Sequence, residues 1–121
     1  MGAAMFGLGR KKSTTTKAKR ESRPLEPGTR RLRMRFRGEV QGVGFRWTSQ
    51  LVADRVGCTG WVHNEDDGSV SMELQGTDDQ ISAWFGGLSG SYARFPIDYR
   101  IDEKEDIEPV EGESGFAVRY R

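Results

Sequence analysis

The sequence is poor in the residues that carry redox and metal chemistry: its 121 positions include one cysteine, Cys58, and one histidine, His63. A lone cysteine excludes an intrachain disulfide, and one Cys with one His cannot make an ordinary zinc site. A reducing compartment suits such a chain. Long apolar runs are also missing, since no stretch approaches the roughly 20 apolar residues that span a bilayer. A soluble chain with no membrane partner is expected. The start Met1-Gly2-Ala3-Ala4-Met5-Phe6 has Phe6 where myristoylation uses Ser or Thr, and no apolar secretory stretch follows a basic start. It shares only a basic, acid-poor composition with organelle transit peptides. A cytoplasmic location is expected.

The formal net charge of +1 conceals an asymmetry. Residues 1–37 hold twelve Lys/Arg against Glu21 and Glu26, a balance of +10, whereas residues 38–121 hold seven against sixteen acids, a balance of −9. Residues 1–29 are rich in Gly, Lys, Thr and Pro and have no apolar periodicity to offset the entropy of ordering them. They read as a disordered basic tail, leaving residues 30–121 as one domain. A domain of this size buries roughly 60–70% of its unfolded surface, so a single core is enough.

From Arg31 the pattern changes. Leu32, Met34 and Phe36 alternate with Arg31, Arg33, Arg35 and Arg37 at strand period. Glycines 38, 42 and 44 interrupt this strand, and Trp47, Leu51, Val52 and Val56 then recur at helical spacing up to Gly57, predicting a helix over 46–56. Residues 58–64 read as a second strand. Asp66-Asp67-Gly68 supplies a hairpin turn, and Val70, Met72 and Leu74 alternate in a third strand. Thr77 and Gln80 form a capping-box pattern before Ile81, Trp84, Phe85 and Leu88 at i, i+3, i+4 and i+7. Phe95, Ile97, Tyr99 and Ile101 suggest a fourth strand, an acidic loop through Glu113 follows, and Phe116, Val118 and Tyr120 suggest a short fifth. The order βαββαβ with an extra C-terminal strand predicts an α+β, ferredoxin-like two-layer sandwich: an antiparallel-rich sheet covered on one face by two helices.

Two local features suggest chemistry. In Gln41-Gly42-Val43-Gly44-Phe45-Arg46, two glycines permit backbone angles that let successive amides converge on an anion, and Arg46 adds a planar, bidentate cation at a helix start. Gln41, Gly42, Val43, Gly44, Phe45 and Arg46 are therefore candidate phosphate-binding residues. The loop lacks the Gly-Lys-Ser/Thr of a nucleotide P-loop and the spacing of a dinucleotide turn. Asn64, at the end of the next strand, carries a neutral amide that can accept from water and donate to a phosphate without repelling it. Each feature also has a plain structural reading. The glycines could simply turn strand into helix, and Asn64 could simply open the Glu65-Asp66-Asp67-Gly68 turn.

Taken together, Gly38-x-Val40-Gln41-Gly42-Val43-x-Phe45-Arg46, Gly60-Trp61-Val62-x-Asn64, Asp67-Gly68-Ser69-Val70, Gly76 and Phe116-x-Val118-Arg119 resemble the acylphosphatase family over about residues 31–121. The likeness is looser across Ser91–Pro96, where family members often show a Gly-Pro step. The resemblance implies a ferredoxin-like hydrolase acting on small acyl phosphates and releasing inorganic phosphate. It further implies that Arg46 and the loop amides grip the phosphate, that Asn64 positions the attacking water, and that no metal or organic cofactor is needed. A monomer is expected.

Of the remaining residues, His63 should face away from Asn64, Cys58 should sit in the core, and Trp61, Trp84 and Phe85 are core candidates. Glu73, the Asp102–Glu113 acids and the arginine stripe read as solvated faces, although four like charges on one strand face want acidic neighbours. The alternative function is a ferredoxin-like nucleic-acid-binding module using the basic tail. Base-stacking sheets present aromatics, however, and the polar face of the third strand offers Ser69, Ser71, Glu73 and Gln75. No specific nucleic acid is expected, only weak, salt-sensitive polyanion binding by the tail.

Overall fold

A computed structural model describes residues 25–120. These form β1 (Arg30–Gly38), α1 (Phe45–Val56), β2 (Thr59–Asn64), β3 (Val70–Gly76), α2 (Asp78–Ser91), β4 (Tyr99–Ile107) and β5 (Phe116–Arg119). The strands make one sheet in the order β4-β1-β3-β2-β5, antiparallel except for the edge pair β2–β5. This is the expected α+β arrangement, with β5 added beside β2. Most of the expected basic tail, residues 1–24, lies outside the described residues. Residues 26–29 make a turn in which the Thr29 amide and hydroxyl both donate to the Glu26 carbonyl.

The helix-covered face holds the core. Leu32, Met34 and Phe36 of β1, Val62 of β2 and Val70, Met72 and Leu74 of β3 are all buried, as period-two alternation requires. Trp84, Ile81 and Leu88 of α2 close over them, and the Trp84 indole N–H donates to the Ser49 carbonyl at 3.1 Å, which ties the two helices together. Burying each large apolar side chain contributes roughly 1.5–3 kcal/mol. The capping box forms as expected, the Gln80 amide donating to the Thr77 hydroxyl and the Thr77 amide to the Gln80 side chain. Cys58 is buried, and loss of solvation pushes its thiol up to about 11. Phe85 is half-buried against the core.

Several expectations need correction. In α1 the buried residues are Phe45, Ser49, Val52 and Ala53, whereas Trp47 and Leu51 are exposed. Phe45 anchors the packed face, and Trp47, two residues on, is rotated about 200° away from it. The fourth strand does not start at Phe95, which is 78% exposed, and the acidic loop begins later than expected, because residues 102–107 are strand. Asp102 and Asp106 in β4 meet Arg37 and Arg30 of β1 at 2.8 and 3.0 Å. Cross-strand charge pairing thus supports a strand that apolar alternation does not mark.

The arginine stripe on the second face is only partly wet: Arg33 is exposed and Arg35 and Arg37 are half-buried, but Arg31 is buried. Arg31 is 2% exposed and donates to Glu73 and Glu113, both at 2.8 Å, and to the Gln75 side chain at 2.9 Å. Burial opposes its charge, and the hydrogen bonds to Glu113 and Glu73 overcome that cost, holding the guanidinium above its usual pKa. Gln75 exchanges hydrogen bonds with the Val110 backbone in both directions, so residues 108–115 are fastened across this face. Ser69, Ser71 and Gln75 on this face are buried as well. Trp61 is half-buried on the same side, with the Arg119 guanidinium 4.7 Å above its ring, instead of in the core.

Candidate active site

The loop between β1 and α1 takes the shape its glycines permit. Gly42 and Gly44 have φ values of +80° and +76°, in the left-handed region that other residues rarely adopt. Gly44 is the N-cap of α1 and supplies no side-chain cap, so the first-turn amides of the helix face the loop without a side-chain acceptor. That end of a helix favours an anion.

Two side chains from outside the loop fix it. The Gln41 amide donates to the carbonyls of Glu65 and Ser69 at 2.8 and 2.9 Å, binding the loop to the β2–β3 turn. From the other side, the Tyr92 hydroxyl donates to the Val43 carbonyl at 3.0 Å and lies 3.4 Å from the Thr48 hydroxyl. Tyr92 ends α2 in the segment where the resemblance is loose. The loop is therefore held at both shoulders, and the β2–β3 turn it grips is the one that begins at Asn64. That turn is itself stiff: Asp67 accepts from the Ser69 hydroxyl and amide, and these bonds, with Arg37, hold its carboxyl well below the usual range.

A cleft of about 460 Å³ opens at this point, lined by Gly42, Gly44, Phe45, Arg46 and Asn64, with further walls from α1 and β5. The structure thus brings the two expected catalytic residues, Arg46 and Asn64, to one cavity. Among the expected phosphate-binding residues, Gly42, Gly44, Phe45 and Arg46 line it, while the Gln41 side chain and the Val43 carbonyl hold the loop in place. Among the described residues Arg46 has no carboxylate partner, and its guanidinium stacks 4.7 Å from the centre of the Tyr120 ring. Stacking occupies a face of the guanidinium and leaves its in-plane N–H donors free for a bidentate acceptor. The Asn64 Oδ1 atom is buried and has no hydrogen-bond partner among the described residues. A buried acceptor left without a donor typically costs about 1–3 kcal/mol, which a bound water or ligand donor would recover.

His63 pairs in register with Ser71 and Arg119 and does not line the cleft; its ring Nδ1 lies 3.2 Å from the Arg119 carbonyl oxygen. Among the described residues no group of three or more His, Cys, Asp or Glu side chains is placed to hold a metal ion. No described helix is long and apolar enough to cross a membrane. The lining residues Val40, Trp47, Gln50, Val118 and Tyr120 were not among the site residues expected from the sequence. One signal was available for Gln50, which lies four residues after Arg46 and so shares its side of the helix.

The sheet face that a nucleic-acid module would offer is filled by the Arg31 network, and the similarities found lie elsewhere. The acylphosphatase family model matches residues 32–118. An acylphosphatase of Oceanobacillus iheyensis is 37% identical over 91 residues, covering 75% of this chain and 99% of that protein. An acylphosphatase of Enterococcus faecalis is 55% identical over 76 residues, covering 63% of this chain and 84% of that protein. The crystal structure of acylphosphatase from Bacillus subtilis superposes with a TM-score of 0.62 at 28% identity, covering 75% of this chain and 99% of that one. A fold, a loop and a cleft of this form, matched along nearly the whole length of such relatives, place the chain in the acylphosphatase family, enzymes that hydrolyse acyl phosphates.

Proposed function

We propose that this cleft hydrolyses the carboxyl–phosphate bond of small acyl phosphates, with Arg46 and the amides of the 41–46 loop gripping the phosphoryl group and Asn64 aiming the attacking water. The observation that carries the reading is the pairing, in one cleft, of a guanidinium and a buried amide oxygen that have, among the described residues, no carboxylate partner and no donor respectively. Asn64 Oδ1 accepts a hydrogen bond from the water, whose oxygen attacks phosphorus as the bond to the acyl oxygen breaks. The bonding electrons leave with the carboxylate, and the proton lost by water passes to solvent or a phosphate oxygen.

A carboxylate is a good leaving group, so the step asks for positioning and charge stabilisation more than for a strong general acid. One guanidinium about 4 Å from a phosphoryl charge is worth roughly 4 kcal/mol at an effective dielectric of 20, before desolvation is subtracted. Its attraction grows more useful as charge builds on the equatorial oxygens. In this reading the enzyme is a metal-independent cytoplasmic monomer, and residues 1–29 stand outside the reacting site. The test is steady-state hydrolysis of benzoyl phosphate in the presence of excess chelator. Undiminished release of benzoate and phosphate is expected; no hydrolysis, or hydrolysis that the chelator abolishes, overturns the reading.

A further inference from the structure

The cleft is chemically two-sided. Gly42, Gly44, Arg46 and Asn64 supply its polar part, while Val40, Trp47 and Val118 supply apolar wall beside them. Trp47 is 65% exposed, and among the described residues its indole N–H donates to no partner. Among the described residues the indole neither enters the core nor finds a hydrogen-bond partner, and it stands as an apolar wall of the cleft beside the anion grip.

Charge sharpens the point. Arg46 is the sole charged side chain among the described lining residues, and in the proposed reaction it is engaged by the phosphoryl group. Arg119, the next nearest cation along β5, stacks instead on Trp61 on the other face of the sheet. Gln50 is neutral, and its amide nitrogen donates one hydrogen bond to the Phe116 carbonyl at 2.9 Å. A second anionic group on the acyl moiety would meet no further cation among the described lining residues, in a domain, residues 30–121, whose twelve Lys/Arg and sixteen acids give a balance of −4.

We infer that Trp47 and Val118 form an acyl-group subsite selective for uncharged, flat apolar acyl phosphates, an aryl acyl group lying against the indole while its phosphoryl end reaches Arg46. The inference rests on the proposed hydrolysis and names the substrate class for it. It makes Trp47 a specificity-determining residue that leaves the chemistry itself to Arg46 and Asn64.

The test compares kcat/KM for benzoyl, acetyl and 4-carboxybenzoyl phosphate in the full-length protein, then repeats the series with Trp47→Ala and Trp47→Phe. Wild type is expected to prefer benzoyl over acetyl phosphate by about tenfold, equivalent to about 1.4 kcal/mol, chiefly through KM. It should also prefer benzoyl over its 4-carboxy analogue, which has the same shape with one more negative charge. Trp47→Ala should lose about tenfold with benzoyl phosphate and at most about twofold with acetyl phosphate, an aromatic–aromatic contact being worth this much. Trp47→Phe should recover most of the loss. Equal losses on benzoyl and acetyl phosphate, or 4-carboxybenzoyl phosphate turned over as well as benzoyl phosphate, overturn the subsite while leaving the hydrolytic reading intact. A wild type that hydrolyses none of the three overturns that reading, and the subsite with it. The wild-type comparison needs no variant and is independent of any folding defect.

Discussion

Arg31 and Arg46 sit on opposite sides of the same sheet and have opposite surroundings. Arg31 is buried on the polar face, with two carboxylates and an amide oxygen against its guanidinium. Arg46 is half-buried at the start of α1, lines an open cleft, and has an aromatic ring in place of a carboxylate. Saturated with acceptors, the first can only fasten: it joins β1, β3 and the 108–115 segment. The second keeps its in-plane donors for something that is not part of the chain. A local sequence window gives both residues similar standing, and what separates a structural charge from a working one is whether the fold has already neutralised it.

Three substitutions test that contrast. Arg31→Ala leaves Glu73 and Glu113 confined without their cation, and should cost about 3–5 kcal/mol of stability. For a domain of this size that is a fall in Tm on the order of 10–20 °C by thermal unfolding. Activity per folded molecule at low temperature should stay within about twofold of wild type, and a comparable loss of kcat/KM would erase the distinction. Arg46→Ala should do the converse. Loss of one preorganised donor costs about 10²–10³ in kcat/KM on benzoyl phosphate, while Tm should move by no more than about 2–3 °C, given the absence of an ion-pair partner. Tyr92→Phe refines the picture, because it removes only the hydroxyl that holds the Val43 carbonyl. One hydrogen bond of this kind is worth about 1 kcal/mol, so a roughly fivefold weakening of competitive inhibition by inorganic phosphate is expected. An unchanged inhibition constant with a lowered Tm would make Tyr92 a stability residue and not a positioning one.

The parts of the molecule that were legible in the sequence are those governed by neighbours along the chain. The glycine loop, the Thr77–Gln80 capping box, the Asp67-Gly68 turn and the alternation of Val70, Met72 and Leu74 all depend on residues within a few positions of one another. The strand at 99–107 was only half legible because its acidic portion is held by β1 arginines some 65 to 76 residues away. The role of Arg31 was hidden for the same reason, its partners lying 42 and 82 residues along the chain. In the cleft, Arg46 and Asn64 stood out through residue type and motif. The tethers made by the Gln41 side chain and the Val43 carbonyl were not legible, since their partners lie 24 and 49 residues along the chain. Trp47, Val118 and Tyr120 looked like ordinary helix and strand residues; Trp47 follows Arg46 in α1, and the placement of β5 beside β2 brings Val118 and Tyr120 to the same cleft.

The central claim is that gripping the phosphate and aiming the water are separate tasks, given to Arg46 and Asn64. The direct measurement is kcat for benzoyl phosphate alongside the inhibition constant of inorganic phosphate, in wild type and Asn64→Ala. The account predicts that kcat falls by about 10² or more while the phosphate inhibition constant stays within about twofold, since Arg46 and the loop amides remain. An Asn64→Ala enzyme that turns over like wild type, or one that loses its affinity for phosphate in proportion to its rate, would contradict it.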